Sequence, residues 1–210
     1  VLMTLEGFEK KDYTLDNLTI PDKWILTTLN TTTKEVRKNF DKYEFNNAGS
    51  ALYSFIWDDF CDWYIELSKF NMNNTTKCVL LTVLTDILKM LHPMMPYVTE
   101  EIYSMLPVKD AESIMISKFP KYNKKYIFDN EKIRLEKIMK DIVAIRNMKA
   151  TNGITKDALV KLEVEDDIRS IYTSQLKIKD ESLTTENKDM LASNYKSSLI
   201  DITYYYEGSK

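Results

Sequence analysis

Apolar residues recur at helical spacing along roughly the first 150 positions of the chain and at alternating spacing after that. The helical pattern is densest between Phe45 and Phe70. There Ala48, Leu52, Phe55/Ile56, Trp63 and Leu67 fall on one stripe, and Tyr53, Trp57, Phe60 and Tyr64 on another. A helix apolar on two sides requires neighbours on two sides, so this stretch predicts the central helix of a bundle, with Trp57, Phe60, Trp63 and Tyr64 in its core. Asp58, Asp59 and Asp62 interrupt the apolar surface. They are read as the solvent arc or as capping and pairing groups, in preference to a metal site.

The other helices follow from the same period. Val1 to Leu5 reads as the tail of a helix, with Gly7 as its C-terminal stop and Phe8 just beyond. A charged connector, residues 9–22, ends at Pro21-Asp22, a helix start. From Lys23, the positions Ile25, Leu29, Val36 and Phe40 step inward while Lys34, Arg37 and Lys38 lie outward. That basic face fits either a phosphate backbone or an ordinary solvated surface. After the Asn71–Asn74 loop, Thr75 or Thr76 is the expected cap of a nearly all-apolar helix to Leu91. His92-Pro93-Met94-Met95-Pro96 breaks it and starts another over Tyr97–Leu106, with Val98, Ile102 and Met105/Leu106 turned inward and His92 read as a structural residue at the kink. Ser113–Phe119 reads as a short extended piece. Lys121, Tyr122, Lys124, Lys125 and Tyr126 form a basic and aromatic linker whose interleaving suits RNA or a plain surface linker equally. A further helix runs from Asp129 to about Ala150 on Leu135, Ile138, Ile142 and Ile145, and Arg134, Lys137, Lys140, Arg146 and Lys149 give it the densest positive charge in the chain.

Beyond Gly153 the period becomes two. Ala158, Val160, Leu162 and Val164 predict one strand, Leu176 and Ile178 a second, and Ile200, Ile202 and Tyr204 a third, separated by short helices near 166–173 and 186–193. The expectation is a mainly α fold: a helical bundle over residues 1–152, then a small α/β subdomain over residues 153–210.

Composition narrows the chemistry. The 210 residues carry a net charge of −3, so nucleic-acid binding would rest on local patches and shape. Two cysteines without a CxxC spacing and a single histidine assemble no zinc framework, and both cysteines read as reduced core residues. No apolar run reaches the length of about 18 residues that a membrane span needs, and no signal-peptide layout opens the chain. With four glycines there is no phosphate-cradling loop, and no serine or cysteine nucleophile has a histidine partner in a recognisable motif. On its own chemistry the chain reads as a binding or structural module, and its start at Val1 inside an apolar run reads as a cut from something longer.

Several segments, in order, carry a family resemblance. They are Asp22-Lys23-Trp24-Ile25-Leu26, Tyr43-Glu44-Phe45, the run from Phe55 to Glu66 (FIWDDFCDWYIE), the run from Leu91 to Tyr103 (LHPMMPYVTEEIY), Glu112-Ser113-Ile114-Met115-Ile116 with Phe119-Pro120, and Ile145-Arg146-Asn147-Met148-Lys149. Together they resemble the C-terminal part of class I aminoacyl-tRNA synthetases. The HPMMPYVTEEIY block fits the valine, isoleucine and leucine branches alike, whereas Phe60-Cys61-Asp62-Trp63-Tyr64 with Glu66 and the Ser-Ile-Met block point to the valine branch. Where that family often has Trp-Pro, this chain has Phe119-Pro120, a conservative change for packing.

The resemblance implies an anticodon-binding bundle of an enzyme that joins valine to tRNA(Val), monomeric and cytoplasmic. It also implies that ATP, Mg²⁺, the HIGH and KMSKS signatures and the editing domain belong to parts other than these residues, with no cofactor and no catalytic residue here. Carried onto this sequence, it makes Phe8 a candidate for stacking on an anticodon base, with a hydrophobic contact completing the helix end as the other reading. Lys10, Lys11, Lys34, Arg37 and Lys38 are the backbone-contact candidates, and Lys137, Lys140 and Arg146 on the basic helix are added to them. The alternative is a structural or protein-interaction bundle, or the equivalent domain of an isoleucine or leucine enzyme.

Overall fold

The computed structural model describes residues 1–9, 15–184 and 190–207. Its described helices are α1 (Leu2–Leu5), α2 (Ile20–Asp41), α3 (Phe45–Ser54), α4 (Ile65–Ser68), α5 (Asn74–Leu91), α6 (Pro96–Ser104), α7 (Asp129–Thr151) and α8 (Asp166–Leu176). Three strands, β1 (Leu159–Val164), β2 (Leu191–Lys196) and β3 (Ile200–Tyr206), form an antiparallel sheet in the order β1-β3-β2. The chain divides into two compact units, Val1–Lys132 and Ile133–Lys210. The change of pattern at residues 152/153 is therefore not where the packing divides, because most of α7 groups with the sheet.

In the first unit α2 begins at a reciprocal cap: Asp22 N–H donates to Thr19 Oγ1 at 3.2 Å, and Thr19 N–H donates to Asp22 Oδ2 at 3.0 Å. The start lies at Thr19, slightly ahead of the Pro21-Asp22 pair that marks it in the sequence, and Pro21 sits in the first turn where its missing N–H costs nothing. Asp22 is fully buried and does more than cap. Its Oδ1 accepts from the Tyr64 hydroxyl at 2.6 Å and its Oδ2 from the Thr76 hydroxyl at 3.2 Å, so one carboxylate joins α2, the central segment and α5. Around it Trp24, Ile25, Leu29, Val36, Leu52, Phe55, Val79, Leu80 and Val83 form the core.

The predicted central helix is not uniformly α. Phe55–Tyr64 is wound as a π-helix, and the next residue, Ile65, donates its N–H to Phe60 O, five residues back. An i→i+5 turn rotates less per residue than an α turn. Phe55, Phe60 and Tyr64, spaced five and four apart, consequently share the buried face. Trp57 turns out of it, 52% exposed, and packs against the still more exposed Tyr53 at 6.1 Å between ring centroids. The expectation that Trp57 lies in the core is corrected on this ground, and Trp63 is only half-buried.

Further along, Asn73 rather than Thr75 or Thr76 caps α5, its side chain accepting from Thr76 N–H at 2.8 Å. His92 Nδ1 lies 2.7 Å from Thr99 Oγ1, fastening the proline turn to the first turn of α6. On α6 the inward residues are Thr99 and Tyr103, with Leu106 just past the end, while Val98 and Met105 face out. The hydroxyl of Tyr103 donates to Asp110 Oδ1 at 2.7 Å, tying α6 to the segment that follows it. Residues 114–116 form a single 3₁₀ turn where an extended piece was expected.

In the second unit β3 is central. Val160, Leu162, Ile202 and Tyr204 pair across the β1–β3 ladder on the sheet's inner face, and Ser193 and Tyr195 of β2 sit opposite Tyr204 and Ile202. The predicted strand at Leu176 and Ile178 is absent: Leu176 ends α8 and Lys177 adopts the left-handed cap conformation at φ 55°. The second strand is Leu191–Lys196, which also replaces the latter part of the helix expected at 186–193; residues 185–189 lie outside the described part. Asp141 of α7, 6% exposed, accepts from Tyr172 Oη (2.7 Å), Tyr195 Oη (2.9 Å) and Ser197 Oγ (2.8 Å), pinning α8 and the β2–β3 hairpin to one side chain.

Candidate nucleic-acid interface

The basic residues predicted on α2 share an exposed face near its C-terminal end. The helix interior explains what joins them there. Thr27 and Asn30 are buried polar residues on α2, a class that must find partners. Asn30 Oδ1 accepts from Asn123 N–H at 2.8 Å, and Thr27 Oγ1 accepts from Phe128 N–H at 2.9 Å. These two bonds lay the 121–128 linker along α2, bringing the basic and aromatic stretch to the basic face. Arg37 reaches the linker as well, its Nη1 donating to Pro120 O at 3.4 Å with the guanidinium 5.7 Å from the Phe119 ring centre.

The result is a shallow cleft of about 280 Å³ lined by Lys34, Arg37, Lys38, Asp41, Lys42 and Tyr122. Lys34 Nζ stands 5.4 Å from the centre of the Tyr122 ring, a cation–π distance. Lys121, Lys124 and Lys125 are exposed alongside. Four cations and one carboxylate in the cleft give it a positive field that the net charge of the chain conceals. Lys42, not singled out from the sequence, and Tyr122, read there only as part of the linker, also line the cleft. The available signal was Thr27 and Asn30, polar positions within an otherwise inward-facing set.

The remaining candidates fall elsewhere. Phe8 is buried at 9% exposure just after Gly7, which takes φ 67°, and Lys77 Nζ lies 5.9 Å from its ring centre. Its ring is packed against the chain, a placement compatible with the contact that completes a helix end. Lys10 and Lys11 lie outside the described residues. In the second unit Lys137 and Lys140 are exposed on α7, but their basic neighbours are committed internally. Arg146 Nη2 donates to Gln175 O at 2.9 Å and to Gln175 Oε1 at 3.2 Å, holding the last turn of α8. Arg134 grips Asp167 at 2.5 and 3.0 Å and Glu165 at 2.6 Å, at the start of α8. Lys149 lies 4.8 Å from the Tyr204 ring centre, where burial pushes its amine below the usual lysine range. Much of the charge that singled out this helix in the sequence therefore clamps α8 and the sheet. Among the described residues no group of three or more His, Cys, Asp or Glu side chains is arranged to hold a metal ion, and no helix is long and apolar enough to cross a membrane.

Comparison with known proteins points the same way as the basic cleft. The chain is 39% identical over 203 residues to the valine–tRNA ligase of Oceanobacillus iheyensis, an alignment covering 90% of this chain and 21% of that protein. It is 40% identical over 169 residues to the valine–tRNA ligase of Thermotoga maritima, covering 79% and 19%, and 36% identical over 208 residues to that of Staphylococcus aureus strain MRSA252, covering 94% and 22%. The chain thus spans about a fifth of the length of these relatives. Residues 22–165, which include all but the first two residues of α2, its cleft and the linker laid across it, match the family described as the anticodon-binding domain of tRNA ligase, and the chain belongs to that family.

Proposed function

We propose that this chain is the anticodon-arm-binding part of a valine–tRNA ligase and that its partner is tRNA(Val). The observation that carries the reading is the cleft where Lys34, Arg37, Lys38 and Lys42 converge beside Tyr122 on a member of the anticodon-binding family. Lysine and arginine side chains at this density exchange counterions for backbone phosphates, which supplies affinity without requiring a positive chain overall. The valine assignment rests on the similarity to valine–tRNA ligases. In this reading Lys34, Arg37 and Lys38 hold phosphates, with Lys10 and Lys11 as further contacts. Lys137 and Lys140 form a weaker second patch, Arg146 is scaffold, and Phe8 shapes the end of α1. Activation of valine with ATP and Mg²⁺ and its editing are assigned to other domains of the intact enzyme, a monomer of the cytoplasm, so these residues perform neither.

The test is a titration of this chain with tRNA(Val) and with a non-cognate tRNA across a range of salt. Tighter binding of tRNA(Val), weakening as salt rises, is expected, and Lys38→Ala lowers the slope of log affinity against log salt by about one. Equal binding of both tRNAs at every salt concentration counts against the proposal.

A further inference from the structure

We infer that Tyr122 is a stacking platform for an unpaired base, and that the cleft between it and the end of α2 takes a single nucleotide rather than duplex backbone alone. The inference rests on the RNA-binding reading above and adds to it the kind of nucleotide bound. Tyr122 is 44% exposed, yet it is not loose. The chain is tied to α2 two residues before it and one residue after it, since Pro120 O accepts from Arg37 and Asn123 N–H donates to Asn30. Lys34 covers one face of the ring at 5.4 Å. The ring itself borders the cleft, between these two backbone anchors. An aromatic surface fixed in advance loses little freedom when a base stacks on it.

The rest of the cleft fits the same ligand. Lys38 and Lys42 lie within it, where the phosphates flanking a stacked base would be neutralised. Asp41 lines the cleft too. A carboxylate repels phosphate and has no place in a pure backbone site, whereas it can accept from the amino or imino edge of a base. Aromatic face, flanking ammonium groups and one acceptor together are the complement of an unstacked nucleotide. A duplex keeps its bases stacked and offers the ring nothing.

The experiment compares this chain with its Tyr122→Ala, Tyr122→Phe and Lys38→Ala variants, each titrated by fluorescence anisotropy with an RNA hairpin bearing an unpaired loop and with a blunt duplex of the same stem. Tyr122→Ala is expected to weaken hairpin binding about tenfold while leaving duplex binding and the salt slope unchanged. Tyr122→Phe keeps the affinity, and Lys38→Ala weakens both RNAs and lowers the slope. An unchanged hairpin affinity in Tyr122→Ala, or an equal loss on hairpin and duplex, overturns the inference and leaves the RNA-binding reading intact. If the unmodified chain binds neither RNA, both fall together. Tryptophan fluorescence, to which the buried Trp24 contributes, checks that each variant is folded.

Discussion

Removing the Asp22 carboxylate should weaken the first unit by about 3 kcal/mol, a figure that follows from its three donors. Thr19 N–H loses a cap bond worth about 1 kcal/mol. The Tyr64 hydroxyl loses its short bond to a charged acceptor, at roughly 1–3 kcal/mol, and the Thr76 hydroxyl loses about 1 kcal/mol. The sum, roughly 3–5 kcal/mol, overstates the effect, because deleting the carboxylate also removes the cost of keeping it out of water. Asp22→Asn discriminates this account from a generic volume change. The amide oxygen can turn to Thr19 N–H, which only donates, while the amide NH₂ faces the Tyr64 oxygen, which can accept. Its cost should therefore be about 1 kcal/mol, the order of one net hydrogen bond. All three tryptophans, Trp24, Trp57 and Trp63, lie in this unit, so guanidinium unfolding followed by tryptophan fluorescence reports on it directly. For a unit of this size 3 kcal/mol corresponds to a fall of about 10 °C in Tm. A double-mutant cycle with Tyr64→Phe should show coupling of about 1 kcal/mol or more. An Asp22→Ala cost below about 0.5 kcal/mol, or an Asn variant as damaged as the Ala one, would refute the reasoning that this carboxylate is a shared acceptor.

The outward turn of Trp57 has a simple consequence. Trp57→Ala should cost under about 1 kcal/mol, whereas Phe60→Ala, at a residue 3% exposed, should cost about 3–5 kcal/mol, and similar losses from the two would contradict the π-helical winding of the segment. In the second unit, burial first and then the hydrogen bond and charge of Asp141 push the Tyr195 hydroxyl up to about 12. A hydroxyl whose pKa is raised on folding lends stability that is complete below its unfolded value near 10 and is lost as pH rises toward 12. A titration followed on the Tyr195 ring itself by NMR should accordingly show it ionising well above the ordinary tyrosine value. Asp141→Asn should bring it down, and an unmoved curve in that variant would remove Asp141 as a cause.

The mainly α body with a small α/β tail was legible because each element repeats its own period. Ile25, Leu29 and Val36 mark α2, Leu135, Ile138, Ile142 and Ile145 mark α7, and the alternation at 158–164 and 200–204 marks β1 and β3. β2 was missed because it carries Ala, Ser, Asn and Lys on a largely exposed edge strand and buries little that would show as a pattern. The false strand at Leu176 and Ile178 arose because a left-handed cap at Lys177 between two apolar residues imitates alternation. Of the site, Lys34, Arg37 and Lys38 were visible as one face of one helix. Tyr122 was visible only as part of a linker with two equal readings.

The sequence by itself determined which residues are apolar, at what period they recur, which motifs they form and where positive charge is dense, since these are properties of neighbours along the chain. Tertiary structure alone decided which charges are free. Arg134, Arg146 and Lys149 look like a binding surface when counted, and become scaffold once Asp167, Gln175 and Tyr204 are placed beside them. Lys34 and Tyr122, far apart in the chain, become one cleft once Asn30 accepts a hydrogen bond from the linker. The physical reason is that a periodicity records whether a side chain faces water, whereas a charge or an aromatic ring acquires its role from the partner within a few ångströms, and that partner is chosen by the fold.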